Sequence, residues 1–469
     1  MDNNQSKVAE LASENTGFRR EITLFGGISI IGGIMVGSGI FYLGSYVLMR
    51  SGMSQGMALL CWLIGGVVSL LGGLCYAELG TSIPKAGGGV VYLTEAYHPA
   101  VGFLSGFNSW LLGGPGSISA LAIALPTALA PYLGFGGMGI KVFATVLIIG
   151  LTIYNFFGVK GGSKLQNVTM VAKLLPILLI IVVALFAGRV TPDLSLTIKH
   201  PETMTSTNPF SIIAFSVIAT LWAYEGWTNL NSVTEEIKNP KRNLPLALII
   251  AIGGITLLYT IFNFAIYRVL DADTIYAEVQ AGNYFLGTEV ARRTLGSAGA
   301  IIVIVTMVIS MFGSLNGCIL AFPRVYYAMA KERHFFPSFA KLHPKYRIPH
   351  VPLFVQAVIS LLLVWISSLD QLTTLVEFSG CIFNFLIVLS VLILRKKYPD
   401  LERPYKVWGG VVTVIISALL FLGLVVNTFI DDPKSALIGM SVPLIGLVMY
   451  FILGKYNEAH PLPEETFED

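Results

Sequence analysis

The chain has 469 residues, 54% of them hydrophobic and only 12% charged, with a net charge of +3 and a mean hydropathy of +0.74. A soluble domain carries about 25% charged residues, so the composition excludes a soluble globular protein and points to one polytopic α-helical membrane domain. The 48 glycines suit close helix packing in lipid.

Residues 1–21 form a polar segment ending in Phe18-Arg19-Arg20-Glu21, without the apolar core of a secretory signal peptide. A span needs about 20 apolar residues. Twelve are predicted over 22–454: 22–50, 55–82, 99–132, 139–158, 164–188, 209–233, 245–269, 297–329, 351–369, 371–395, 408–430 and 435–454. The third and eighth are long enough to tilt. A cytoplasmic tail follows over 455–469, and its acidic end, Glu464 to Asp469, reads as disordered. Lysine and arginine collect in the loops of one side, among them Arg19, Arg20, Lys160, Lys164, Lys238, Lys241, Arg242, Lys331, Arg333, Arg395, Lys396 and Lys397. The other side holds Arg50, Lys141, Arg189, Lys199, Arg268, Arg292, Arg293 and Lys434. The positive-inside rule then puts both termini in the cytoplasm of a multi-pass cell-membrane protein. Cys61, Cys75, Cys318 and Cys381 lie in spans without metal-like spacing, and the six histidines form no cluster, so neither a metal nor another cofactor is expected. No interleaved basic and aromatic run marks a nucleic-acid partner.

Two spans are interrupted. Gly37-Ser38-Gly39-Ile40-Phe41 breaks the first, and Trp222-Ala223-Tyr224-Glu225-Gly226-Trp227 the sixth. Broken helix at bilayer depth is tolerated where it is buried in protein or lines a watery cavity, and paired breaks in the two halves mark a transporter's site. The half-helix starting near Ser38 and Gly39 offers N–H donors to a carboxylate. The half-helices ending near Met35 and Val36, and near Trp222, Ala223 and Glu225, offer carbonyls to an ammonium. One free α-amino acid would satisfy both, with Met35, Gly37, Ser38, Gly39, Ile40, Trp222, Ala223 and Glu225 binding it. The competing reading is that the glycines only permit a tight helix crossing. Lys173 is the one basic residue deep in a span, where a charge is a functional signal by default; the competing reading there is snorkelling to the interface. Glu225 either accepts hydrogen bonds from helix ends, carries a proton, or faces a water cavity. An intramembrane enzyme would need a nucleophile–base pair or a metal cluster, and Lys173 and Glu225 stand almost alone.

The motifs themselves resemble a known family. Gly37-Ser38-Gly39-Ile40-Phe41, Tyr76-Ala77-Glu78-Leu79-Gly80 with Ile83-Pro84-Lys85-Ala86-Gly87-Gly88, Ala223-Tyr224-Glu225-Gly226-Trp227 with Glu235-Glu236-Ile237-Lys238-Asn239-Pro240, Phe312-Gly313-Ser314-Leu315-Asn316-Gly317 with Pro323-Arg324, and Arg403-Pro404-Tyr405-Lys406-Val407 occur in order along the chain. They are similar to the amino acid–polyamine–organocation superfamily. Within it, the chain most resembles the L-type amino acid transporters, especially their bacterial serine/threonine exchangers. The resemblance implies a LeuT-like fold, with helices one to five and six to ten as inverted repeats and helices eleven and twelve outside them. It implies sodium-independent exchange of small neutral amino acids.

The resemblance also assigns roles. Lys173 takes the position where its ammonium stands in for sodium, with first-helix carbonyls near Gly37 and the hydroxyls of Ser310 and Ser314 as partners; the two serines, at i and i+4, share a helix face. Trp222 takes the place of an outer gate. Leu43-Gly44 stands where the family often has Pro-Gly, a change in the packing of the outer half-helix. Animal members join a single-span glycoprotein through a cysteine between helices three and four. This chain has no cysteine between Cys75 and Cys318, so a disulfide-linked heavy subunit is not expected. A proton-coupled symporter of the same fold, with Glu225 or Lys173 titrating, is the alternative function, and a non-transporting amino acid sensor is a further one.

Overall fold

The computed structural model describes residues 3–460 apart from 14–19, 21, 38, 86, 158–159, 205–207, 332, 334 and 347. Ser38 and the tail from Glu464 to Asp469 lie outside the described residues. Every named element is a helix, and no strand occurs among the described residues.

The chain opens with α1 (Asn3–Ala12), which buries Leu11 and ties Lys7 to Glu95 at 3.1 Å. The first span is two helices, α2 (Leu24–Met35) and α3 (Gly39–Arg50), bent by 51° across the Gly37–Gly39 break. Thr23 caps α2 by accepting from the Gly26 N–H at 3.2 Å. Next come α4 (Gln55–Ser82), α5 (Gly89–Ala96), α6 (Pro99–Asn108) and α7 (Gly114–Leu133). A π turn over Ser109–Gly113 joins α6 to α7, so the long third span is one wound helix with a bulge. Pro115 follows directly: it has no N–H to donate, and its ring clashes with the carbonyl four residues back, so a wider turn relieves that position.

The first half ends with α8 (Gly137–Phe156) and α9 (Lys160–Ala187). The break recurs at the start of the second half, where α10 (Pro209–Tyr224) stops at Glu225 and a short α11 (Asn229–Ser232) follows. Gly226, at φ +124°, makes that stop; a Cβ there would lie 2.5 Å from the Ile34 side chain and 3.4 Å from the Met35 nitrogen. The chain continues through α12 (Pro240–Tyr267), α13 (Ala272–Gln280), α14 (Leu286–Lys331), α15 (His350–Ile366), α16 (Leu369–Lys397), α17 (Val411–Asp431) and α18 (Pro433–Ala459). Gly296, at φ +69°, kinks α14 where the eighth span is predicted to begin.

Among the described residues eight helices are long and apolar enough to cross a membrane, one of them the wound α6–α7 stretch Pro99–Ala130, and the bent α2–α3 pair forms a ninth candidate. Three shorter apolar helices, Ala172–Ala187, Pro209–Tyr224 and His350–Ile366, coincide with predicted spans, the last starting one residue before its own. In the bundle α12 packs along α4 and α2, α14 against α9 and α7, and α16 against α17 and α7.

At one end of the bundle, Glu78 of α4 accepts two bonds from Arg395 of α16 at 2.7 and 2.6 Å and one from the Val407 N–H at 2.8 Å. The carboxylate is thus fully engaged in spite of its burial. At the other end Arg50 of α3 bonds Asp370 of α16 at 3.0 Å and the Phe215 carbonyl at 2.9 Å. There Tyr46 stacks on Tyr284 at 5.2 Å, and Ser45 donates to the Tyr284 carbonyl at 2.5 Å.

The segment between α9 and α10 lies across this second end. The Lys199 and His200 N–H groups donate to the Gly52 carbonyl at 2.9 and 3.0 Å. The His200 ring sits between Glu202 at 2.8 Å and Asp273 of α13 at 3.2 Å, stacked on Tyr276 at 4.0 Å. The hydrogen bond to Glu202 first, and then that to Asp273, hold the imidazole above its ordinary value of 6.5. A raised folded value means the clasp contributes fully below pH 6.5 and fades as pH rises through the folded value. Thermal unfolding should therefore show a stability decline from about pH 6 to 8 that His200→Gln reduces. An identical pH profile in the two proteins would remove this role.

Candidate functional site

A cavity of about 230 Å³ lies where the two breaks meet. Met35, Gly37 and Gly39 line it from the first span, and Trp222, Glu225 and Gly226 from the sixth. Asn108, Ser314, Ser379 and Asn384 add polar groups from α6, α14 and α16. The lining reaches Gly87, Gly89 and Ser232, at the same end of the bundle as Glu78 and the start of α2. The opposite end is closed by Tyr42, Tyr46, Tyr284 and Phe285 in mutual contact, with Tyr42 buried.

The two breaks touch through backbone. A Cβ on Gly39 would lie 2.8 Å from both Cα and Cβ of Ala223. Gly39 is therefore required by the crossing itself as well as lining the cavity, and the two readings of that glycine coexist. Ile40 and Ala223, both 1% exposed, differ from expectation: they pack into the core and are not among the lining residues. Ile40 follows Gly39 on the face of α3 turned from the cavity, and Ala223 is covered by the crossing.

The carbonyls expected to be free are also in use. Tyr259 of α12 places its hydroxyl 2.7 Å from the Met35 carbonyl and 3.0 Å from that of Ala223, linking the two broken ends. Ser310 donates to the Val36 carbonyl at 3.2 Å. Ser314, by contrast, lines the cavity with its hydroxyl buried and without a partner among the described residues, 3.1 Å from where a Gly37 Cβ would stand.

Lys173 of α9 is 2% exposed, which rules out a snorkelled side chain in this state. Its amino group donates to the Gly33 carbonyl at 2.6 Å. That partner lies one helical turn before Gly37, where the partner was expected, because α2 remains helical through Met35. No bond from Lys173 to Ser310 or Ser314 is formed. Trp222 is buried at the end of α10, against the cavity.

Sequence reading missed three residues. Tyr259 carries no signal that a single sequence exposes, since one tyrosine in an apolar span looks like any other. Asn108 of α6 lines the cavity and donates to Ser379 at 3.2 Å. Glu377 was legible: it is an acid within the tenth predicted span, and it is 5% exposed. No group of His, Cys, Asp and Glu that could hold a metal occurs among the described residues.

The two broken spans converge on one cavity, which presents backbone and hydroxyl groups of a kind that suits a small polar molecule. Comparison with known proteins agrees in kind. The family model for amino acid permeases matches residues 22–453. The serine/threonine exchanger SteT of Bacillus subtilis (strain 168) is 34% identical over 448 residues, covering 94% of this chain and 99% of that protein. The human cystine/glutamate transporter is 30% identical over 450 residues, 94% of this chain and 86% of that one. The mouse b(0,+)-type amino acid transporter 1 is 30% identical over 452 residues, 95% and 90% respectively. A match of this extent, on a helical chain with paired broken spans, makes the protein a multi-pass membrane member of the amino acid permease family.

Proposed function

We propose that the chain exchanges small neutral L-amino acids across the cell membrane by alternating access, without sodium. The observation that carries this is the cavity at the junction of the two breaks, lined by Gly37 and Gly39 of the first, Glu225 and Gly226 of the second, and the unpartnered Ser314 hydroxyl. Similarity to the serine/threonine exchanger SteT along nearly the whole of both chains supports exchange, and the lack of a cysteine between Cys75 and Cys318 supports a transporter without a disulfide-linked heavy subunit. The bias of lysine and arginine supports cytoplasmic termini, so the cavity faces inward and the closed tyrosine layer faces out. Counting the broken first span and the three shorter apolar helices with the eight long ones supports twelve spans, with residues 22–454 as the transport domain. In this reading Trp222 closes over the substrate when the outer side opens, and Lys173 occupies the place of a coupling cation.

The test is counterflow in proteoliposomes. Vesicles preloaded with an unlabelled neutral amino acid should take up label many times faster than empty ones, equally with and without sodium. Uptake into empty vesicles driven by a pH gradient, at the rate of loaded ones, would replace exchange with proton symport.

A further inference from the structure

We propose that the segment between α9 and α10 is a strap whose His200 latches the outer lid, so that acidity on the outer face holds the transporter closed to that side. The proposal rests on the orientation given above and adds a control to the exchange cycle. The strap is fastened to the turn that joins α3 to α4. The Lys199 and His200 N–H groups both donate to the Gly52 carbonyl, at 2.9 and 3.0 Å. Thr203 donates its hydroxyl to the Met49 carbonyl at 2.7 Å, and Ser54 donates to the Ser195 carbonyl at 3.2 Å. A Cβ on Gly52, at φ +63°, would lie 2.6 Å from Ile198 and 2.8 Å from Met204, so the strap rests directly on the turn. It therefore moves with the end of α3. On the other side of a seam stands α13. The chain runs from α13 into Tyr284 and Phe285, which close on Tyr46 and Tyr42 of α3. Opening the outer face parts these rings and draws α13 away from the end of α3 and from the strap.

His200 crosses that seam. Its Nδ1 lies 2.8 Å from Glu202 of the strap, its Nε2 lies 3.2 Å from Asp273 of α13, and its ring is stacked on Tyr276 of α13 at 4.0 Å. A neutral imidazole has one N–H and one lone pair. It can donate to one of these carboxylates only, and turns its lone pair toward the other. The imidazolium donates to both, so the ring ties strap to α13 when protonated and loosens when neutral. The other charges around the strap are engaged: Lys199 with Asp193 at 3.3 Å, Arg50 of α3 with Asp370 at 3.0 Å, and Arg293 with Glu278 and Glu289 at 3.6 and 2.6 Å. Asp271 caps α13 by accepting from the Thr274 N–H at 2.8 Å. His200 is the only histidine among these groups, and histidine is the side chain whose charge ordinarily changes near neutral pH. Glu202 first, and then Asp273, raise its pKa in the closed state above 6.5. The latch is therefore complete below pH 6.5 and is lost as pH rises through the closed-state value.

Thr288, 3% exposed and just past Phe285, reports the opening of the seam. Thr288→Cys in the full chain, in right-side-out membrane vesicles, is labelled from outside with a membrane-impermeant maleimide at about pH 6 and about pH 8. The parent chain, whose Cys61, Cys75 and Cys381 are buried, gives the background. Thiol reactivity itself rises with pH, so the readout is the ratio of labelling rates with and without His200→Gln at each pH. That ratio should be about two to five at the acid pH, the scale of an exposed ion pair, and fall to about one at the alkaline pH. Asp273→Asn should give the same pattern. A ratio that does not change with pH in these variants overturns the latch, as does a ratio below one at the acid pH. Absence of labelling at both pH values overturns it equally, because the lid would then not open there. Exchange of external L-threonine, with the vesicle interior held at constant pH, should follow the labelling. Labelling requires no transport, so a pH-dependent ratio in a chain that exchanges nothing keeps the latch and removes the exchange function.

Discussion

Gly39→Val should abolish amino acid exchange and lower the thermal stability of the purified protein. The Gly39 Cα faces Ala223 so closely that a Cβ would stand 2.8 Å from both the Cα and the Cβ of that residue, with Leu43 3.2 Å away on the other side. Backbone atoms cannot rotate aside as a long side chain does, so α3 and the end of α10 must separate. Overpacking of this kind costs about 1–3 kcal/mol. Valine adds a second branch and a stiff χ1, so Gly39→Ala should be damaged and Gly39→Val more so. The consequence for binding is greater than that for stability, because both breaks line the same cavity and the Tyr259 hydroxyl spans them at 2.7 and 3.0 Å. Separating the breaks lengthens one of those contacts and moves the groups that meet the substrate. Gly254→Ala in α12 is the control: a Cβ there has nothing within 4 Å, and alanine favours helix over glycine. Ligand-induced thermal shift and counterflow, measured on all three variants, check the expectation. Binding by Gly39→Val at wild-type affinity would mean that the crossing is dispensable to the site.

The paired breaks were legible because helix breaking in a membrane has few permitted explanations, and Gly37, Gly39 and Gly226 advertise it. The cavity does form between them. Which backbone groups stay free was not legible: Tyr259 and Ser310 come from α12 and α14, far along the chain, and occupy carbonyls of Met35, Ala223 and Val36. Sequence periodicity gives the face of a helix but not the depth at which a neighbour's hydroxyl meets it. The same limit explains Lys173, whose burial was foreseeable and whose partner was misjudged by one turn, since the helix runs to Met35 before it breaks. The bulge in the third span is a local matter that Pro115 signals, whereas a tilt was invoked for its length. Glu377 was overlooked although the rule that flagged Glu225 applies to it equally.

Lys173→Ala should reduce turnover about tenfold or more while leaving the protein inserted and assembled. The amino group bonds the Gly33 carbonyl at 2.6 Å from a site that is 2% exposed, and thereby ties α9 to the last turns of α2. Alanine removes the donor and the four-carbon stem together. An unpaired buried acceptor costs about 1–3 kcal/mol, and the empty volume adds to it. The state shown here, open at one end and closed at the tyrosine layer, bears that loss directly. A shift of 1.4 kcal/mol between the two facing states changes their ratio about tenfold, so the effect belongs in the cycle rate and in unequal apparent affinities on the two faces. Lys173→Arg keeps a cation but brings a broad planar head into a compact site, and should rescue poorly. If the lysine serves as a fixed cation, sodium has no place to act, and neither the wild-type protein nor Lys173→Ala should respond to replacing sodium with choline. Sided exchange kinetics at equal protein per vesicle decide the matter. Wild-type turnover in Lys173→Ala would show that the Gly33 contact only fills the interior, and sodium stimulation of the wild-type protein would remove the fixed-cation role whatever the variant does.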